Sequence, residues 1–235
     1  MGDPDTDRPT SRDSGVGRRR PGLRWWQETL LLILAAVVIS LLVKTFFVQM
    51  FYVPSASMRP LFVDNDRILV EKVSYWSGGP ERGDVVVFKD PGHWLGVAPE
   101  PDGFHQLLSL IGLYPSGGHL VKRVIGVGGD HVVCCDRKGR IRVNGVPLDE
   151  SAYLPPGTEP SLQEFDVTVP EDSLWVMGDN RSNSLDSRAH QELPNHGAVP
   201  VDDVVGKVWA IVWPWDRAKV LDDPATFDQP ALTGH

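Results

Sequence analysis

Residues His119 to Val127 read HLVKRVIGV, and this run decides the fold. Its β-branched residues favour an extended backbone. On a strand the side chains alternate, so Lys122 shares a face with Leu120 and Val124. Runs of the same character lie on both sides of it: DRILVEKV (66–73), GDVVVF (83–88), HVVCC (131–135), GRIRVNG (139–145), SLWVMG (173–178) and VVGKVWAIVW (204–213). Gly, Pro and Asn punctuate them, so the chain is expected to fold as a mainly β domain of many short strands. That domain is expected over residues 48–216. Between Asp90 and Gly118 the strand rhythm breaks into PGHWLGV and FHQLLSLIGLYP, read as an insertion at 90–118 with a short amphipathic helix around Leu107 to Leu113. The insertion either packs on the domain or forms an apolar lip against a membrane surface.

Upstream of the strands, Leu30 to Val43 read LLLILAAVVISLLV, with Ser40 the one polar residue. Trp25 and Trp26 before it and Phe46 and Phe47 after it extend the apolar stretch toward the ~20 residues a bilayer requires. A single N-terminal transmembrane helix is therefore expected at 25–47; a buried core helix or a cleavable signal sequence is the alternative. The following segment, KTFFVQMFYV, has bulky aromatics where a small-x-small cleavage site would stand, which favours retention of the helix. Arg18, Arg19, Arg20 and Arg24 precede it and a lone Lys44 follows, so the N-terminus is expected in the cytoplasm and the β domain outside, on the plasma membrane. Residues 1–24, rich in Asp, Arg, Ser, Pro and Gly, are expected to be a disordered cytoplasmic tail. Residues 217–235 lack apolar periodicity and are expected to form a loosely ordered C-terminal tail.

A chain of 235 residues suits one single-core domain plus an anchor. Its formal net charge of −8 argues against a nucleic-acid partner, since phosphate neutralisation requires clustered Lys and Arg. The two cysteines, Cys134 and Cys135, are adjacent, and disulfide geometry sets Cα atoms farther apart than one peptide bond does, so no ordinary bridge or disulfide scaffold is expected of them, and they read as partly buried small side chains at a strand end whose redox state the sequence leaves open. No second Cys pair or spaced His cluster accompanies them, so neither metal nor cofactor is expected.

Three segments carry reactive side chains beside residues that fix the backbone. In Val53-Pro54-Ser55-Ala56-Ser57-Met58-Arg59-Pro60, two prolines flank a serine pair; the pattern fits a turn and equally a preorganised nucleophile. In the strand around Lys122, an ammonium among apolar neighbours either reaches water or is desolvated and more easily neutral. A neutral lysine accepts a proton from a serine hydroxyl. In Met177-Gly178-Asp179-Asn180-Arg181-Ser182-Asn183-Ser184-Leu185-Asp186-Ser187-Arg188, acids, amides and arginines alternate, which suits an internally hydrogen-bonded loop more than a solvated turn. A Ser-His-Asp site is a competing arrangement, with His119, His131 and His190 available and none singled out by its setting.

The three segments, in this order after an apolar N-terminal helix, resemble the type I signal peptidases from Phe46 to about Trp213. The resemblance implies a signal-peptidase-like extracytoplasmic β domain with Ser57 as nucleophile and Lys122 as general base. Ser55 would supply an oxyanion hydroxyl alongside the Ser57 backbone N–H, and Ser184 would orient the lysine. Asp186 and Arg188 would form a structural ion pair, with Asp179 and Arg181 supporting the same loop. Phe51, Val53, Pro54, Met58, Val121 and Lys122 would line the substrate cleft. The partners implied are the signal peptides of secretory precursor proteins, cut after a small-x-small site, together with membrane lipid. Leu61, Gly128 and Ser182 depart from the residues most usual in the family, and none replaces an assigned catalytic group. The rival readings are a self-cleaving Ser-Lys protease and a non-catalytic, membrane-tethered β domain that binds extended peptides along a sheet edge.

Overall fold

The computed structural model of the chain describes residues 25–76, 78–92, 94–96 and 118–233. The expected tail at 1–24 and the expected short helix at 107–113 lie outside the described residues, as does most of the insertion. The chain divides into two units, Met1–Leu41 and Leu42–His235. The first is described through helix α1, Trp25–Phe46, in which Glu28 in the first turn complements the positive helix end. Leu30, Leu31, Leu32, Ile33, Leu34, Val37, Val38, Ile39 and Leu41 are all exposed, so the helix is apolar around its circumference rather than on one stripe. Among the described residues no helix is long and apolar enough to cross a membrane.

The second unit is built from twelve described strands: β1 (Val48–Tyr52), β2 (Arg67–Glu71), β3 (Val85–Lys89), β4 (His119–Val127), β5 (His131–Cys134), β6 (Arg142–Val143), β7 (Val146–Pro147), β8 (Phe165–Thr168), β9 (Ser173–Met177), β10 (Val199–Pro200), β11 (Val204–Trp213) and β12 (Lys219–Val220). The larger sheet runs β1-β2-β11-β3-β4-β9-β10, with β12 paired to β11; the smaller runs β7-β6-β5-β8. The described pairings are antiparallel. Asn144 and Gly145, both at positive φ, make the two-residue turn between β6 and β7, which explains the Asn-Gly step between short apolar runs.

Strand β3 is buried from Val85 to Phe88 because the larger sheet is covered on both faces. Val85 and Val87 join a cluster with Val53, Met58, Phe62, Ile68, Val70, Val208 and Ile211. Val86 and Phe88 join another with Leu120, Val124, Val176 and Val199. A third cluster bridges the two sheets, with Ile125, Trp175 and Met177 from the larger meeting Val132, Val143 and Phe165 from the smaller. On β4, Lys122 lies opposite Val86 and in the same alternating row as Leu120 and Val124.

Two expectations are corrected. The stretch beyond Arg217 is not a loose tail through residue 233: β12 pairs with β11, Phe227 and Leu232 are buried, and Arg82 donates to the Leu232 carbonyl at 2.6 Å. Two buried apolar side chains suffice to dock a segment without periodicity. Cys134 and Cys135 are joined by a disulfide; the expectation of no bridge applied the Cα spacing of bridges between separated residues, which the eight-membered ring of two adjacent cysteines does not share.

Candidate active site

Ser57 stands in a 3₁₀ turn, Ala56–Met58, that caps the end of a tightly bonded loop. The Val53 N–H donates to the Asp66 carbonyl at 3.0 Å and the Phe62 N–H to the Met58 carbonyl at 3.0 Å. Met58 and Phe62 are buried in the core, which pins the turn from below and leaves Ser57 half-buried above it. The loop closes on Asp66, whose buried carboxylate accepts the Val63 N–H at 2.9 Å and pairs with Arg217 through two contacts of 3.0 Å. Arg217 also donates to the Leu61 carbonyl at 3.1 Å. Ser55 is extended, makes no cap bond to the turn, and sets its Oγ 3.2 Å from Ser57 Oγ.

Lys122 reaches this turn from β4, and its Nζ donates to Ser57 Oγ at 2.7 Å. The lysine is 3% exposed. Burial lowers its pKa to about 8; Asp186 and Asp179 pull upward against that, and Arg188 pushes down. A hydroxyl bonded to an amine whose pKa is lowered is an arrangement in which the amine can take the hydroxyl proton.

The loop after β9 holds the serine turn. The Asn180 N–H donates to the Ser57 carbonyl at 3.0 Å, and Asn180 Nδ2 donates to the Ala56 carbonyl at 2.9 Å. At Gly178 a Cβ would collide with both the Ser57 carbonyl and Ser184 Oγ, so only glycine lets the loop approach this closely. Asp186 accepts from the Gly178 N–H at 3.0 Å and is gripped by Arg188 through contacts of 2.9 and 2.8 Å. Burial alone would raise the Asp186 carboxyl; the Arg188 guanidinium outweighs it and holds the group below the usual carboxylate range. Asp179 pairs with Arg123, at 2.8 and 2.7 Å, rather than with its neighbour Arg181. Arg181 instead pairs with the buried Glu150 at 2.6 Å and donates to the Gly178 and Pro160 carbonyls. Tyr153 donates to Glu150, and the Arg123 guanidinium lies 4.4 Å from its ring centroid.

Of the residues singled out from the sequence, the structure brings Ser55, Ser57 and Lys122 into contact. Asp179, Arg181, Asp186 and Arg188 are fixed on one loop. Val53 and Met58 share an apolar cluster with the half-buried Phe51 and Val121, while Pro54 is exposed. Ser184 Oγ is buried beside the Asp186 carboxyl and helps to hold it below the usual carboxylate range. Sequence reasoning missed Asn180, Arg123, Glu150, Tyr153, Asp66 and Arg217. Asn180 and Arg123 adjoin assigned residues, which is a usable signal; the other four carry none. Among the described residues, no group of three or more His, Cys, Asp or Glu is placed to hold a metal.

A β domain that seats a serine turn against a desolvated lysine defines, as a class, a hydrolase built for nucleophilic attack on a carbonyl. Residues 26–213 match the family described as signal peptidase, peptidase S26. The chain is 41% identical to signal peptidase I of Mycobacterium tuberculosis (strain CDC 1551 / Oshkosh), over 93% of this chain and 83% of that protein. It is 36% identical to a probable signal peptidase I of Mycobacterium leprae, over 88% of this chain and 83% of that protein. It is 33% identical to a probable signal peptidase I-2 of Synechocystis, over 91% and 85%. A solved signal peptidase I from Enterococcus faecalis matches at 26% identity over 55% of this chain and 96% of that one, with a TM-score of 0.36, too loose a superposition to bear on the fold. The chain belongs to the signal peptidase family, peptidase S26, and is a serine endopeptidase of the type I class.

Proposed function

We propose that the protein removes N-terminal signal peptides from secretory precursors by a Ser57/Lys122 dyad, cutting after a small-x-small site. The observation that carries this reading is the 2.7 Å contact between Lys122 Nζ and Ser57 Oγ, made by a lysine whose burial lowers its pKa to about 8. Neutral Lys122 takes the Ser57 proton as Oγ attacks the scissile carbonyl. The Ser57 backbone N–H and the Ser55 hydroxyl hold the oxyanion. As the tetrahedral intermediate collapses, the Lys122 ammonium returns the proton to the departing amine of the mature chain, leaving the signal peptide esterified to Ser57. Lys122 then deprotonates a water that attacks the ester and frees the signal-peptide carboxylate. This is the Ser-Lys variant of triad chemistry. Asp186, Arg188, Asp179 and Arg181 keep the loop that supports the lysine in place. Phe51, Val53, Pro54, Met58 and Val121 line the cleft for the residues before the cut.

The same reading makes α1 a membrane anchor. Its run from Leu30 to Val43 is short of the ~20 residues of a span, and the aromatic residues at its two ends supply the interfacial remainder. The arginines before it hold the N-terminus in the cytoplasm, so the β domain works outside the plasma membrane. The test is Lys122→Ala in the full-length, detergent-solubilised chain: precursor cleavage is abolished while the circular dichroism spectrum is unchanged. Retained cleavage removes Lys122 as the base.

A further inference from the structure

The stretch from Lys219 to Leu232 is tied to both sheets. On the larger sheet β12 pairs with β11, and Asp223 accepts from Lys207 Nζ at 2.7 Å while the same Nζ pairs with the buried Asp84 at 2.6 Å. Further on, Thr226 Oγ1 accepts the Asp149 N–H at 2.8 Å, just beyond β7 of the smaller sheet. Between these ties Phe227 turns inward and is buried. Its ring lies against Gly83 and stacks on Tyr153, with ring centroids 6.3 Å apart and planes 24° from parallel. Gly83 and Tyr153 both touch Arg123: the Gly83 carbonyl accepts from Arg123 Nη1 at 2.9 Å, and the guanidinium lies 4.4 Å from the Tyr153 ring centroid. We infer that Phe227 is a positioning residue for the peptidase reaction: its ring holds Gly83 and Tyr153 against Arg123, and Arg123 sets the loop after β9 onto the serine turn.

Arg123 follows Lys122 on β4 and is buried. Its Nε and Nη2 grip the Asp179 carboxylate at 2.8 and 2.7 Å, and the next residue, Asn180, donates its N–H to the Ser57 carbonyl at 3.0 Å. A guanidinium is a rigid plane, so the groups that hold one edge fix the direction in which the other edge points. Of the groups on Arg123, the Gly83 carbonyl and the Tyr153 ring both rest on Phe227. Gly83 has φ +94° and no side chain of its own to anchor it. The three nearest atoms that a Cβ there would meet all belong to the Phe227 side chain, the closest at 2.8 Å. Removing that ring opens a void in a close-packed interior, into which Gly83 and Tyr153 relax and turn the guanidinium with them. Leu232 gives the contrast: it is fully buried in the same apolar cluster and the same stretch, but it has no ring to stack on Tyr153. Its carbonyl, the group held by Arg82, survives truncation of the side chain.

This inference rests on the proposed function, and the experiment separates the two. Cleavage of a secretory precursor is followed with the full-length solubilised protein and with Phe227→Ala, Phe227→Leu and Leu232→Ala, each also unfolded in urea. Phe227→Ala and Leu232→Ala are expected to lower the urea midpoint alike, since each empties a buried apolar site. Under conditions where both remain folded, Phe227→Ala is expected to lower kcat by about 10-fold or more with KM little changed, the signature of misplaced reacting groups, while Leu232→Ala keeps the wild-type kcat. Phe227→Leu keeps the site filled but lacks the ring, and its kcat is expected to fall as well; it carries the comparison if Phe227→Ala does not fold. A wild-type kcat in the folded Phe227 variants, an equal loss of kcat in Leu232→Ala, or a change confined to KM overturns the positioning role while leaving the peptidase reading intact. A wild type that cleaves no precursor overturns the peptidase reading and this inference with it.

Discussion

In the proposed mechanism Lys122 acts as base only when neutral, and its surroundings set the pH at which that happens. Desolvation lowers its pKa to about 8, against the upward pull of Asp186 and Asp179 and with the downward push of Arg188. A base is active once deprotonated, so kcat/KM is expected to rise through about pH 8 and to level off above it. Asp186→Asn removes the largest upward pull, so the rising limb moves to lower pH; a pH–rate profile of wild type and variant measures the shift. An unchanged or raised midpoint contradicts the assigned electrostatics. Part of this was legible in the sequence. Alternation in HLVKRVIGV puts Lys122 in a row with Leu120 and Val124, and the resemblance named Ser57. What was not legible was how Ser184 sits: a hydroxyl near an acid is visible in the string NSLDSR, but that it lies buried against Asp186 depends on the path of the loop. Nor was the Cys134–Cys135 bridge legible, because spacing rules for disulfides describe bridges between separated residues and not the ring closed by two neighbours.

At the scale of elements, the site depends on a loop from one part of the sheet clamping a turn from another. Asn180 Nδ2 bonds the Ala56 carbonyl at 2.9 Å, one residue before the nucleophile. Asn180→Ala removes that bond, with an expected loss of about 1 kcal/mol of positioning, or about fivefold in kcat with KM little changed. Steady-state kinetics on a precursor check it, and a change confined to KM contradicts a role in positioning the serine. Behind the loop, Glu150 is the counter-ion of Arg181, both buried. Glu150→Ala leaves an uncompensated buried guanidinium and is expected to destabilise the fold by about 3–5 kcal/mol, read as a lower urea midpoint. The strands of the larger sheet were legible because β-branched runs and turn residues are local signals. Glu150 to Arg181 and Asp66 to Arg217 were not, since each pair joins segments far apart in sequence. The docking of residues 217–233 was hidden for the same reason: Phe227 and Leu232 stand alone in a polar stretch.

For the molecule as a whole, the proposed anchor and the serine–lysine site serve one purpose. A signal peptide is held by its apolar core in the bilayer, so a peptidase tethered to the same membrane meets its substrate at raised effective concentration. Helix α1 carries apolar side chains around its full circumference, which suits lipid better than a protein groove. The β domain carries its own three apolar clusters. The central claim is that Ser57 cuts precursors after the signal peptide. It is tested most directly by incubating a purified secretory precursor with the full-length solubilised protein and with Ser57→Ala, and sequencing the new N-terminus. A cut after a small-x-small site that disappears in Ser57→Ala is the predicted result; the same cut by Ser57→Ala, or none by the folded wild type across several precursors, contradicts it.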